Sequence, residues 1–203
     1  MRQGALTQHL DYEMSWHYDV GIYHRIGENF DTRFVVYYTD VSDYIALDRD
    51  KYYVDDKEKP YAYNVDSAQF YGLELEFNST LFDKLGLFGN YTYLENEVDE
   101  TDLPITFWVD IPPRHKGNLG LRYWLKGNIL LTCDVRYVGK RKSEDGYTLD
   151  DFMITDIGIQ YTCLENKAKL LGYVNNVFGE NYLEVYGYPM PRQIFGFQLK
   201  YIL

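Results

Sequence analysis

The dominant period along this chain is two. Tyr12, Met14, Trp16, Tyr18, Val20 and Ile22 alternate with Glu13, Ser15, His17, Asp19 and Gly21. The same alternation sets Tyr71, Leu73, Leu75 and Phe77 against Gly72, Glu74, Glu76 and Asn78, and Leu119, Leu121, Tyr123 and Leu125 against Asn118, Gly120, Arg122 and Trp124. Near the end, Phe195, Phe197, Leu199, Tyr201 and Leu203 alternate with Gly196, Gln198 and Lys200. Successive side chains of a strand point to opposite faces, so the pattern predicts antiparallel sheet with one apolar and one polar face. No stretch carries a helical stripe of useful length, and the fold class is all-β. About nine strands are expected, over 11–26, 30–47, 65–80, 86–97, 114–125, 129–140, 152–162, 168–178 and 192–203.

The connections are more telling than the strands. Tight turns are expected at Gly27-Glu28-Asn29, Phe82–Leu85, Lys126-Gly127-Asn128 and Cys163–Lys167. Between them fall long loops at Asp48–Asn64, Asn96–Pro113, Arg141–Asp150 and Gly179–Pro191. Short and long alternate without exception. In an up-and-down meander alternate connections lie at the same end, so every tight turn is at one end and every long loop at the other. That asymmetry is the mark of an outer-membrane β-barrel, whose strands cross in roughly 9–11 residues between aromatic girdles.

Composition fits this reading. The chain has 203 residues with 31 acidic against 20 basic, and 22 Tyr, 11 Phe and 3 Trp. So much aromatic surface argues against disorder, and a net charge of -11 argues against nucleic acid as a partner. Apolar runs are far too short for a membrane helix. A barrel wall is apolar only outward, which reconciles 46% hydrophobic content with a polar average. Tyrosine suits its rims, with the ring at the lipid boundary and the hydroxyl wet. Cys133 and Cys163 show no metal or redox spacing. No secretory leader is read at the head of the chain, which leaves an intracellular protein or one whose true N-terminus lies upstream.

Six segments resemble, in order, strands of the TonB-dependent outer-membrane receptors. They are His9–Gly21, Phe34–Ile45, Asn64–Glu76 (an Asn, Ala, Gly, Glu, Glu pattern), Gly89–Tyr93 with Ile111–Lys116, Val174–Tyr182, and Gly187–Arg192. The resemblance covers nearly the whole chain, and the wording of the last loop leans towards cobalamin or siderophore receptors. It implies active uptake of a metal chelate of siderophore, haem or cobalamin type across the cell outer membrane, with no enzyme activity. It also implies a plug domain and a TonB-contact segment ahead of a 22-stranded barrel. Phe197, Leu199, Tyr201 and Leu203 stand where the resemblance places the signal read by the barrel-assembly machinery. Leu203 replaces the usual Phe, and the glycine usual before Arg192 is absent.

Strand parity bears on completeness. With nine antiparallel strands the first and last run the same way, whereas single-chain bacterial barrels have even strand numbers. Unpaired edges in lipid cost several kcal/mol per backbone group. Residues 1–203 are therefore expected to be one barrel segment, the last nine strands, without the plug or earlier strands and not transport-competent alone. A degraded or mispredicted reading frame is the other option.

Candidate chemistry is sparse. There is no nucleophile elbow and no phosphate-cradling loop, and the histidines do not converge. No cofactor is expected; calcium in the acidic loop Glu95–Asp102 is the one alternative, against a plain solvated loop. Tyr52 and Tyr53 in one long loop, and Tyr182, Tyr186 and Tyr188 in the last, are candidate contacts for a small chelate or plain loop and girdle residues. By parity Glu74, Glu76, Arg122, Asp134, Arg136, Asp156, Gln160 and Lys200 face the lumen, with Asp134 and Arg136 expected to pair with Asp156 across strands. Two other classes stay open. One is a soluble β-sheet module binding carbohydrate or another ligand. The other is a small outer-membrane barrel enzyme, which would need His115 or His9 at the loop end.

Overall fold

The structure is a computed structural model that describes residues 10–54, 57–98, 107–108, 112–143 and 147–201. Every regular element among them is a strand: β1 (Met14–Ile26), β2 (Phe30–Val54), β3 (Lys57–Leu81), β4 (Leu85–Val98), β5 (Phe107–Trp108), β6 (His115–Leu125), β7 (Ile129–Val138), β8 (Arg141–Lys142), β9 (Thr148–Leu149), β10 (Phe152–Cys163), β11 (Ala168–Asn175), β12 (Leu183–Val185), β13 (Tyr188–Pro189) and β14 (Ile194–Tyr201). Nine of these form one continuous antiparallel meander in the order β1-β2-β3-β4-β6-β7-β10-β11-β14. The sheet is open: among the described residues β1 and β14 are its edges and do not pair with each other.

The four tight turns close with left-handed backbone. Phe82 and Asp83 have φ of 54° or just below it, and Lys126 and Gly127 have φ of 54° and 73°. Two consecutive positive-φ residues match the right-handed twist of the strands they join. These turns fix the register, and the register carries the alternation across the whole sheet. Ile22 lies opposite Phe34, Phe34 opposite Leu75, Leu75 opposite Tyr91 and Gly89 opposite Leu119. Leu119 then meets Val135, Cys133 meets Ile157, Ile157 meets Val174 and Val174 meets Phe195. One face is thus apolar from edge to edge.

Among the described residues nothing covers that face. Val20 is 69% exposed, and Phe195 and Phe197 are each 73% exposed. Patches of this extent on a folded sheet mark an apolar surrounding. Among the described residues no helix is long and apolar enough to cross a membrane; a strand-built wall needs none. A clustered core among the described residues lies on the opposite face, where Val138, Phe152 and Ile154 pack with Tyr182.

The long connections depart from the expected loops. Asp48–Asn64 is not a loop: β2 and β3 continue through it as a hairpin arm, pairing Ala46 with Tyr63 and Val54 with Lys57, with a register shift between Asp48 and Tyr52. Aromatic and β-branched residues at Tyr52, Tyr53, Val54, Tyr61 and Tyr63 favour extended backbone, which outweighs the local charge that suggested a loop. Three other long connections hold short pairings. β5 pairs with β2, β8 with β9, and β12 with β13. At its start β1 is shorter than expected, and β11 ends at Asn175 rather than 178.

Candidate functional site

The polar face is built by the same register. Arg33 lies opposite Glu76, Glu76 opposite Asn90, and Asn90 opposite Asn118. Asn118 is opposite Arg136 and Arg122 opposite Thr132, while Asp134 faces Asp156. Glu74, Glu76, Arg122, Asp134, Arg136, Asp156, Gln160 and Lys200 therefore share one face. Its polar groups largely satisfy each other across strands. Arg33 reaches Glu76 at 4.0 Å, Arg122 pairs with Asp134 at 2.9 Å, and the Asn118 amide donates to Asn90 at 2.9 Å. A hollow of about 290 Å³ on this face, towards the tight-turn end, is lined by Tyr23, Asp31, Arg33, Glu76, Phe88 and Asn90, among others.

The expected pairing of Asp134 and Arg136 with Asp156 does not form. Asp156 sits directly opposite Asp134, a like charge, and instead accepts the Asn176 backbone N–H at 2.7 Å. Asp134 is taken by Arg122. Arg136 turns to the last long loop and meets Glu184 at 2.6 Å. The competing partner came from 48 residues along the chain, a contact that strand parity alone does not reveal.

This Glu184 contact is the centre of a cluster at the long-loop end, where two neighbouring connections dock on the polar face. Arg141, with its side chain 11% exposed, donates to the carbonyl oxygens of Leu183 and Glu184 at 2.9 and 3.0 Å, and approaches the other Glu184 carboxylate oxygen at 3.7 Å. Tyr182 lies against Phe152, with ring centroids 4.5 Å apart. Both guanidinium groups sit near the Phe152 ring, at 5.3 Å for Arg136 and 5.6 Å for Arg141. Cation–π attraction strengthens when the pair is shielded from water. Tyr186 stacks flat on Tyr147, at 4.0 Å and 8°. Behind them, Asn176 ties the base of the loop through Glu180, accepting its N–H and donating to its carbonyl oxygen.

The five candidate tyrosines thus have different surroundings. Tyr182 packs in the cluster, Tyr186 is stacked, and Tyr188 is 72% exposed. Tyr52 and Tyr53 lie on the far part of β2, and their side chains fall outside the described residues. Arg136, Arg141 and Glu184 bind this region together. Only Arg136 was picked out from the sequence; the others lack a periodic or motif signal and are brought in by loop docking.

At the same end of the apolar face a tyrosine band has its polar atoms met. Tyr91 shares a 2.7 Å hydrogen bond with His115 Nδ1, and Tyr93 donates to Glu95 at 2.9 Å while its ring lies tilted against His115. Glu95 also pairs with Arg114, and Tyr71 donates to Glu97. The rest of the acidic Glu95–Asp102 segment, from Asp99 on, lies outside the described residues, as do His9 and Leu203. Among the described residues no three His, Cys, Asp or Glu side chains converge as metal ligands. Cys133 and Cys163 are free thiols. Phe197, Leu199 and Tyr201 all lie on the apolar face of edge strand β14.

Against known proteins, the family model described as TonB dependent receptor-like, beta-barrel matches residues 3–177. The metal-pseudopaline receptor CntO of Pseudomonas aeruginosa is 31% identical over 133 residues, which cover 61% of this chain and 18% of that protein. The iron-regulated outer membrane virulence protein of Vibrio cholerae is 28% identical over 136 residues, or 63% and 20% of the two chains. The chain thus spans about a fifth of the length of the curated relatives it matches. Among solved structures, the copper transporter OprC superposes with a TM-score of 0.74 at 20% identity, covering 93% of this chain and 31% of that one. The pyoverdine receptor FpvA of P. aeruginosa, bound to pyoverdine, gives 0.72 at 17% identity, covering 96% and 30%. At such identities these two likenesses speak for the fold.

Proposed function

The chain belongs to the β-barrel family of the TonB-dependent receptors, proteins of the outer membrane, and from that premise we propose that it forms the last nine strands of a barrel that takes up a metal chelate. The observation that carries the reading is the unbroken register. It gives one sheet an apolar face for lipid and a face of ion pairs and amides for a wet interior. Arm, loops and tyrosine band gather at the end opposite the tight turns, where a solute would arrive from outside. Relatives named as receptors for metal-pseudopaline and pyoverdine support a siderophore-like cargo; haem and cobalamin are the other chelates of this size and character.

On this reading the lumen-facing charges are Glu74, Glu76, Arg122, Asp134, Arg136, Asp156 and Lys200, which with the Gln160 amide contact a plug or water. Energy enters through TonB by a segment N-terminal to the barrel, so these nine strands alone do not transport. Phe197, Leu199 and Tyr201 on the exposed edge strand are the part offered to the barrel-assembly machinery. Calcium at the acidic loop has no described ligand set behind it and forms no part of the proposal.

The test is uptake of radiolabelled iron, copper and cobalt chelates by intact cells with and without the gene that carries this chain. Gene-dependent, TonB-dependent accumulation of at least one chelate is expected. Equal accumulation in both strains across all of them, with the protein present in the outer membrane, overturns the reading. A protein that stays folded and monomeric without detergent overturns the membrane wall itself.

A further inference from the structure

The cluster beneath the last loop has an excess of positive charge in a chain whose net charge is -11. Two guanidinium groups, Arg136 and Arg141, share one carboxylate, that of Glu184. The sharing is unequal: one Glu184 oxygen is 2.6 Å from Arg136, while the other is 3.7 Å from Arg141, beyond hydrogen-bond reach. Among the described residues Arg141 Nη1 is buried with no partner, and so is the Ser143 hydroxyl two residues on. Buried donors are rarely left unpaired, because each forfeits its hydration. Phe152 and Tyr182 flank the guanidinium groups and keep water away, which strengthens any charge interaction made there. The Glu184 side chain is itself 34% exposed and belongs to β12 in the last connection, not to the wall.

We propose that Arg136 and Arg141 form an anion site at the mouth of the polar face, in which the protein's own Glu184 stands in for a carboxylate of the incoming chelate. Planar, forked guanidinium groups suit bidentate carboxylate recognition. A metal chelate with several free carboxylates can offer one oxygen to each arginine and another to the unpaired Arg141 and Ser143 donors, which Glu184 does not reach. Displacing the Glu184 carboxylate breaks its ion pair with Arg136, while Arg141 still holds β12 through the carbonyl oxygens of Leu183 and Glu184. The assignment rests on the uptake reading above and narrows it to negatively charged cargo.

The experiment compares two iron complexes, ferric citrate and a neutral ferric trihydroxamate, binding to outer membranes that hold the polypeptide carrying this chain. Insertion of each variant is checked by heat-modifiable migration in gels. Glu184→Gln removes the internal competitor, and the ratio of ferric citrate to trihydroxamate affinity is expected to rise about tenfold, the size of one charge-assisted contact. Arg136→Gln is expected to lower the same ratio about tenfold. If the wild type binds only the trihydroxamate, or if the variants move both probes together or neither, Glu184 is a structural latch and the anion site is overturned while uptake stands. If neither complex binds and no chelate is taken up in the gene-deletion comparison, both readings fall.

Discussion

The two ends of the sheet each hold an arginine–carboxylate pair of the same length, built in opposite ways. At the tight-turn end Arg25 meets Asp31 at 2.6 Å, and Tyr23 donates to the same carboxylate oxygen, also at 2.6 Å. The partners are six residues apart and face each other because the hairpin register puts them there. Their side chains are 61% and 32% exposed. At the long-loop end Arg136 meets Glu184 at 2.6 Å, but the partners lie 48 residues apart, on β7 and on β12 of the last connection, and Arg141 beside them is nearly buried. Equal geometry therefore does not mean equal worth. An exposed pair gains little over its hydrated ions; Arg136 and Glu184 are themselves 34% exposed, so the difference between the two ends lies in Arg141, whose shielded guanidinium has no water to fall back on.

The comparison can be broken most directly at Arg141. Truncation by Arg141→Ala leaves the Leu183 and Glu184 carbonyl oxygens without their donor, with an expected cost of about 3 kcal/mol for two charge-assisted hydrogen bonds. Urea unfolding in detergent micelles should show it, with protease cutting first appearing between Gly179 and Pro191. An unchanged midpoint and an intact loop would mean that the two ends are alike after all.

Next in size is a change in the wall between the ends. At Gly120 a Cβ would fall within the Phe88 ring, and the Arg122 guanidinium that pairs with Asp134 lies 4.9 Å over that ring. Gly120→Ala has to push Phe88 aside, for about 1–3 kcal/mol by the usual cost of overpacking. Both loop sets should remain protease-resistant, which separates a wall defect from a loop defect. Loop cutting as fast as in Arg141→Ala would contradict this.

The smallest effect is expected at the turn. Asp31 lies on the polar face, one residue pair from the tight turn at Gly27-Glu28-Asn29, at the end of the strands and outside the lipid-facing surface. The hydrogen bond from Tyr23, and then that from Arg25, hold the Asp31 carboxyl below its ordinary range. A lowered folded-state pKa means stability that is present above the unfolded pKa and lost as pH falls through the folded one. Asp31→Asn should therefore be indistinguishable from the wild type at strongly acidic pH and differ from it slightly at neutral pH, by denaturation midpoints across that range. A difference that grows on acidification would refute the assignment.

Legibility in the sequence follows the same division. The nine-strand meander, the four tight turns and the alternation of an apolar with a polar face were readable, because a side chain's face in a strand depends only on its parity and the turns pin the register. The hairpin arm was misread as the Asp48–Asn64 loop, since its charges hide a β-forming backbone of Tyr52, Tyr53, Val54, Tyr61 and Tyr63. Arg136 was readable as a polar-face charge, yet its partner was not. Glu184 and Arg141 sit in connections where no period constrains which side chain meets which. Tyr182, singled out for its place in the last loop, turned out to be packed on Phe152, a hydrophobic contact across 30 residues.

By itself, then, the sequence determined a one-layer antiparallel wall with an apolar face and a polar face and with all its long connections at one end. Local rules suffice for this: alternation, turn chemistry and the length of strand between turns. Only the tertiary structure decided which charges meet, that Asp156 faces Asp134 without an arginine between them, and that the last loop folds onto Arg136 and Arg141. Those contacts join residues far apart in the chain. Their selection depends on burial and on competition among several possible partners, and neither is written in any local stretch.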